Sequence, residues 1–119
     1  MGKVMINNTC GKEAVERASL AFVVGRTALN SGQEATILLT IEGVHVATKG
    51  YTEGLQAHGF EPLSRLVNDF MAAGGRVWAC GACAKPRGIT EADLVPGAQI
   101  VGAASAVELM VNGAQTLSF

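Results

Sequence analysis

Gly74-Gly75-Arg76-Val77-Trp78-Ala79-Cys80-Gly81-Ala82-Cys83-Ala84-Lys85-Pro86-Arg87-Gly88-Ile89 is the stretch on which the reading of this chain turns. The glycine pair ends whatever precedes it. Arg76 to Ala79 has the length and apolar content of a short strand, and Cys80 follows directly at its carboxyl end. Upstream, Pro62 is well placed to open a helix. Leu63, Leu66, Val67, Phe70 and Met71 then recur at helical spacing along one face, the mark of an amphipathic helix closed by Gly74-Gly75. A helix that feeds a strand in this way is half of a βα repeat.

The same alternation extends in both directions. Lys3 to Asn7 reads as a short apolar strand, and Lys12 to Asn30 as a helix. Ala14, Ala18, Ala21, Phe22, Gly25, Ala28 and Leu29 share one face of that helix, and their small size lets it lie close to a sheet. Leu20, Val23 and Val24 form a second apolar patch beside it, suited to another helix or another subunit. Asn30-Ser31-Gly32 ends the helix. Gln33 to Ile41 holds a strand whose unbroken apolar centre, Ala35 and Ile37 to Leu39, suits a buried parallel position. Glu42 to Phe60 is a long irregular stretch with four glycines, Gly43, Gly50, Gly54 and Gly59, with a short helix expected near Val44 to Lys49. Loops of this length are usually functional or mobile, and this one is expected to cover the site.

Downstream, Thr90 and Asp93 form a capping-box pattern flanked by the staple residues Ile89 and Leu94, opening a short helix that Pro96-Gly97 stops. Ala98 to Val101 reads as a fourth strand. Ser105 and Glu108 form a second capping-box pattern, starting a helix that ends at Asn112-Gly113. Ala114 to Phe119 is the last strand. The expected fold class is therefore α/β: a three-layer sandwich with a five-stranded, mainly parallel sheet flanked by helices, all in one domain over residues 1–119. In such sheets, chemistry collects at the carboxyl ends of the strands.

The 119 residues are 49% hydrophobic and only 16% charged, against roughly 25% charged in ordinary soluble domains. That excess of apolar surface points to a homo-oligomer. A net charge of −1 without a basic run argues against nucleic acid and anionic membranes as partners. The longest apolar runs, Ser19 to Val24 and Thr36 to Ile41, fall far short of the ~18 residues of a membrane span. Met1-Gly2 lacks the Ser or Thr that myristoylation wants, since Ile6 stands there. The expected location is the cytoplasm.

Three cysteines do not suit a disulfide-stapled secreted domain. In a reducing compartment a Cys-x-x-Cys pair is more often redox-active or metal-binding than structural. Thiolate is the reactive form of cysteine, and three features near Cys80 favour it: its strand-end position, Gly81, which lets backbone N–H groups turn toward the sulfur, and the cations Lys85 and Arg87. Cys83 has the spacing to close a disulfide with Cys80. Cys10 stands in the loop after the first strand, on the same sheet edge and at the start of the first helix, where a thiol can be activated or simply buried.

Other chemistries fit less well. A zinc set from Cys10, Cys80, Cys83 and His45 or His58 has only half of the usual paired signal. Trp78 to Lys85 looks superficially like a thioredoxin active site, but it comes after two βα units, and Pro86 and Gly88 interrupt the long helix that should follow. Gly11-Lys12 lacks the upstream glycine of a P-loop, no G-x-G-x-x-G follows a strand, and no nucleophile elbow is present. Glu42 at a strand end is a lone carboxylate of the kind that is ordinarily solvated. No cofactor and no metal is called for.

The run Gly74 to Ile89 resembles the DsrE/DsrF-like proteins. The Glu42-Gly43-Val44 turn, the Val101-Gly102-Ala103-Ala104 turn and the C-terminal strand agree, so that the resemblance covers nearly the whole chain. It implies a five-stranded parallel α/β fold and assembly into trimers or hexamers. It also implies a cysteine after the third strand that carries a persulfide and passes its outer sulfur to a partner protein. That role falls on Cys80, with Lys85 and Arg87 stabilising the anion, while Cys83 has no secure counterpart in the relay members. Three readings follow: a sulfur carrier or sulfurtransferase, a dithiol redox protein using Cys80 and Cys83, and a non-catalytic oligomeric binding protein.

Overall fold

A computed structural model describes residues 1–119. Five strands form one sheet: β1 (Lys3–Asn8), β2 (Glu34–Leu39), β3 (Arg76–Cys80), β4 (Gln99–Val101) and β5 (Gln115–Ser118). Their order is β4-β3-β2-β1-β5, and every pairing is parallel. The chain steps in one direction from β1 to β4 and then returns across the sheet to β5. Right-handed crossovers put the first three connections on one face and the return on the other. The helices obey this. α1 (Val15–Asn30) and α2 (Leu63–Ala72) pack on the first face, whereas α4 (Ala103–Val111) stands alone on the second. The short α3 (Gly81–Ala84) follows β3 directly. The three-layer parallel sheet expected from the sequence is thus the one observed, with a thin third layer.

The two faces are built from alternate residues of the same strands. Ile6, Ile37 and Val77 stand side by side in register and are buried under α1 and α2. Ala18, Ala21, Phe22 and Gly25 of α1 are buried on that face. A methyl on Gly25 would lie 2.8 Å from the Phe70 ring and 3.2 Å from Ile37 Cδ1, so glycine there is what lets α1 approach. Phe22 and Phe70 meet edge to face at 5.7 Å, joining α1 to α2. Across the sheet, Met5, Ala106, Leu109 and Ala114 make a smaller core, with Leu38 and Trp78 only half-buried beside it. Arg76 stacks over Trp78 at 5.1 Å and donates to Thr36 Oγ1.

Several local expectations are corrected. The Ser105–Glu108 capping box does not form. α4 begins three residues earlier, at Ala103, with Gly102 in place of Ser105 as its extended N-cap, because alanines 103 and 104 enter a helix without cost. The Thr90–Asp93 box does form, but on a single 3-10 turn, Glu91–Asp93. That turn ends before Pro96, since Lys49 N–H donates to Asp93 O and Val95 N–H to Ala47 O, which draws the chain into an extended pairing. The helical part of the Glu42–Phe60 stretch lies at Ile41–Ala47, a 3-10 run that buries Val44, Val46 and Ala47. This segment is part of the principal core.

Ile41 opens that run at φ 55°, the only non-glycine residue with positive φ. A β-branched side chain in the left-handed region is strained by about 1–2 kcal/mol, and Ile41 is 53% exposed, so burial does not repay it. Ile41→Gly is therefore expected to raise the melting temperature by roughly 4 °C, a net gain of about 1 kcal/mol. A fall in melting temperature would show that Ile41 contacts outweigh the strain.

Candidate functional site

The carboxyl ends of β1, β2 and β3 carry the residues that the sequence singled out, but the structure divides them between the two faces. Cys80 closes β3. It alternates with Ala79, which is buried under α1 and α2, and so turns toward the α4 side while still touching the edge of the principal core. There it lines a cavity of about 230 Å³. Leu38 and Thr40 form one wall at the end of β2, and Val101 of β4 forms another. Gly102, Ala103, Ala106 and Val107 close it from α4. Cys80 is half-buried, and its thiol is free. Nothing in Glu42–Phe60 lines the cavity; the cover comes from the first turns of α4, not from the long loop. The reason is topological, because residues 41–47 are folded into the opposite face.

Cys83 is also free and half-buried, yet it does not line this cavity. It sits in α3 and packs against the principal core, and its carbonyl accepts from Arg87 Nη1 at 3.1 Å. Gly81 opens α3, where a methyl would meet Ile100 and Val101 only at an ordinary 3.4 Å. Cys80 is the N-cap of α3 and makes no side-chain capping bond, so the backbone N–H groups expected to turn toward its sulfur do not bond to it. Lys85 is exposed and unpaired.

Arg87 is engaged elsewhere. Its Nε and Nη2 donate to Glu42 Oε1 at 3.1 and 2.9 Å. Together with the bond to Cys83 O, this latches the cysteine turn to the start of the Ile41–Ala47 run. His45 lies 3.6 Å from the same carboxylate and stacks on Tyr51, whose hydroxyl accepts from Lys12 N–H at 2.7 Å. The Arg87 hydrogen bond, with the positive charges of Arg87, His45 and Lys12, holds the Glu42 carboxyl below its ordinary 4.5 against a smaller opposing effect of burial. A depressed folded-state value means that the latch stabilises fully above the ordinary carboxylate range and is lost as pH falls through the lowered value. Thermal melts of the wild-type and Glu42→Gln proteins are expected to differ at neutral pH and to converge in acid, below 4.5. Parallel curves throughout would remove Glu42 as the titrating group.

Cys10 is buried and does not stand at the N-terminus of α1. A loop and the 3-10 turn Lys12–Ala14 intervene, because Gly11 and not Cys10 begins the helical run. The fully buried Asn8 holds Cys10 in place, its Oδ1 accepting from Cys10 N–H at 3.1 Å and its Nδ2 donating to Cys10 O at 3.0 Å. His58 is exposed in the turn region. No three His, Cys, Asp or Glu side chains converge as a metal would need. A wider depression of about 360 Å³ lies at the amino ends of the strands, between Lys3, Glu34, Arg76 and Glu108. It holds no cysteine and lies at the sheet end opposite the one where such folds place chemistry.

The sequence profile of the DsrE/DsrF-like family matches residues 2–119. This chain belongs to the DsrE/DsrF-like family. Sulfur relay is the general role of that family. Among curated relatives, the uncharacterized protein MJ0760 of Methanocaldococcus jannaschii is 33% identical over 101 residues, covering 85% of this chain. The chain spans only 37% of the length of that relative. The uncharacterized protein MK0008 of Methanopyrus kandleri is 34% identical over 85 residues, 71% of this chain and 67% of its own length. Two solved structures, the ychN protein of E. coli and MTH1491 of Methanobacterium thermoautotrophicum, align over the full length of both chains with TM-scores of 0.75 and 0.77 at 17% identity. At that identity they establish the fold alone. No helix of this chain is long and apolar enough to cross a membrane.

Proposed function

We propose that this DsrE/DsrF-like protein is a sulfur carrier that holds sulfane sulfur as a persulfide on Cys80. The observation that carries this reading is the Cys80 cavity: it is the one cysteine that lines a pocket, and it does so at a strand's carboxyl end. The thiolate attacks the outer sulfur of a donor persulfide. The Cys80–sulfur bond forms as the donor's sulfur–sulfur bond breaks, and the donor leaves as a thiolate. An acceptor thiolate then removes the outer sulfur and restores Cys80. No net oxidation occurs. The cavity wall shelters the bound sulfur from water and from other thiols. Intact-mass measurement of the reduced protein after exposure to a polysulfide tests this, with a gain of sulfur expected. A loss of two hydrogens would favour the dithiol reading instead.

The same reading includes self-association in the cytoplasm, as a trimer or hexamer. Met110 and Val111 on the outer face of α4 are 43% and 78% exposed, and this is the face that the chain's own helices cover least. Val111→Lys is expected to shift the sedimentation coefficient toward the monomer without lowering helical content. An unchanged assembly would place the contact elsewhere.

A further inference from the structure

The wall around Cys80 carries no charged side chain. Leu38, Val101, Ala106 and Val107 supply most of it, and its one side-chain hydroxyl, on Thr40, already donates to Asn7 Oδ1 at 2.8 Å. The cations nearest in sequence are elsewhere, since Arg87 is bound to Glu42 and Lys85 is exposed, and neither lines the cavity. A sulfur oxyanion entering this space would shed its hydration with no counter-charge to replace it, against a thiolate of its own sign. An uncharged donor meets neither cost. At about 230 Å³ the cavity is also smaller than the roughly 300 Å³ at which sites for drug-sized ligands begin, which suits a compact molecule.

We propose that the Cys80 cavity takes up sulfane sulfur in uncharged form, the octasulfur ring being the simplest member of the class, in preference to sulfur oxyanions such as thiosulfate. This deepens the carrier reading and rests on it. The Cys80 thiolate, its proton already released to solvent, attacks one ring sulfur. A bond from Cys80 to that sulfur forms as the adjacent ring bond breaks. The electron pair of the broken bond stays on the far sulfur, which becomes the anionic end of a linear chain attached to Cys80. No atom leaves and no oxidant is required. The rim at Gly102 and Ala103 is exposed, so the charge that develops has a route to water.

The test uses the full-length reduced protein with octasulfur dispersed in a non-ionic detergent and, separately, with thiosulfate. Sulfur gain on Cys80 is followed by intact mass and peptide mapping. Glutathione in the same solutions calibrates the intrinsic reactivity of each donor. The ratio of the Cys80 rate to the glutathione rate is expected to be at least about tenfold higher for octasulfur than for thiosulfate, the factor that one unscreened like charge readily produces. Ala103→Lys, at the exposed rim, is expected to raise the thiosulfate rate and narrow that gap. Equal ratios, a thiosulfate preference, or an unchanged gap in Ala103→Lys would overturn the uncharged-donor proposal while leaving Cys80 as a carrier. Failure of Cys80 to gain sulfur from either donor would overturn both.

Discussion

Cys80→Ser is expected to reduce sulfur loading to the reagent background, while Cys10→Ser and Cys83→Ser retain it. The three thiols differ in what surrounds them. Cys10 is only 8% exposed, and Asn8 fixes its backbone on both sides. Cys83 touches the principal core as Cys80 does, but it lies in α3 outside the cavity, with its carbonyl held by Arg87 Nη1. Cys80 alone opens into a cavity. A serine hydroxyl is a far weaker nucleophile than a thiolate and does not attack a sulfane sulfur. The substitution removes one atom's chemistry with almost no change in volume, so the melting temperature of the variant should stay near that of the parent. Loading that survives in Cys80→Ser and disappears in Cys83→Ser would transfer the role to α3 and sink the assignment.

The fold was legible because its signals are local. The helical spacing of Leu63, Val67 and Phe70, the small face of Ala18, Ala21 and Gly25, and the apolar run Ala35 to Leu39 each describe a surface that must be buried. Strand order follows from these elements only through the crossover rule. The site was legible in part for the same reason: a cysteine directly after a strand marks the carboxyl edge of the sheet. Strand alternation turns Cys80 toward the α4 side, whereas Cys83 lies beyond the strand in α3 and does not line the cavity, although only two residues lie between them. The Glu42–Arg87 pair spans 45 positions, and no spacing rule joins residues so distant. The loop was expected to cover the thiol because length suggests mobility. In the structure its apolar residues Val44, Val46 and Ala47 are core instead, and α4 supplies the cover. Ser105 and Glu108 matched a capping pattern, but Gly102-Ala103-Ala104 starts the helix first.

Gly43→Ala is expected to lower stability by about 3 kcal/mol, near the upper end of what overpacking costs, and the melting temperature by roughly 10 °C. The cause is not backbone conformation, since Gly43 is not among the positive-φ glycines. It is proximity. A methyl on Gly43 would lie 2.2 Å from Asn8 O, 3.1 Å from Asn8 C and 3.3 Å from Thr9 C, all of them main-chain atoms. A side chain can rotate away from such a clash, but the end of β1 cannot. Asn8 O already accepts from Thr40 N–H, and Gly43 N–H donates to Thr9 O at 3.1 Å and to Thr40 O at 2.9 Å. Separating the two segments would therefore strain bonds on both sides of the contact and move Thr40, which lines the Cys80 cavity. Gly81→Ala is the informative control. Its methyl has ordinary contacts, and alanine is favoured over glycine in a helical turn by up to about 1 kcal/mol, so that variant should melt at or above the parent temperature. The two substitutions add the same atom at opposite ends of the Glu42–Arg87 latch. If they shift the melting temperature alike, close approach at Asn8 is not what requires glycine at position 43.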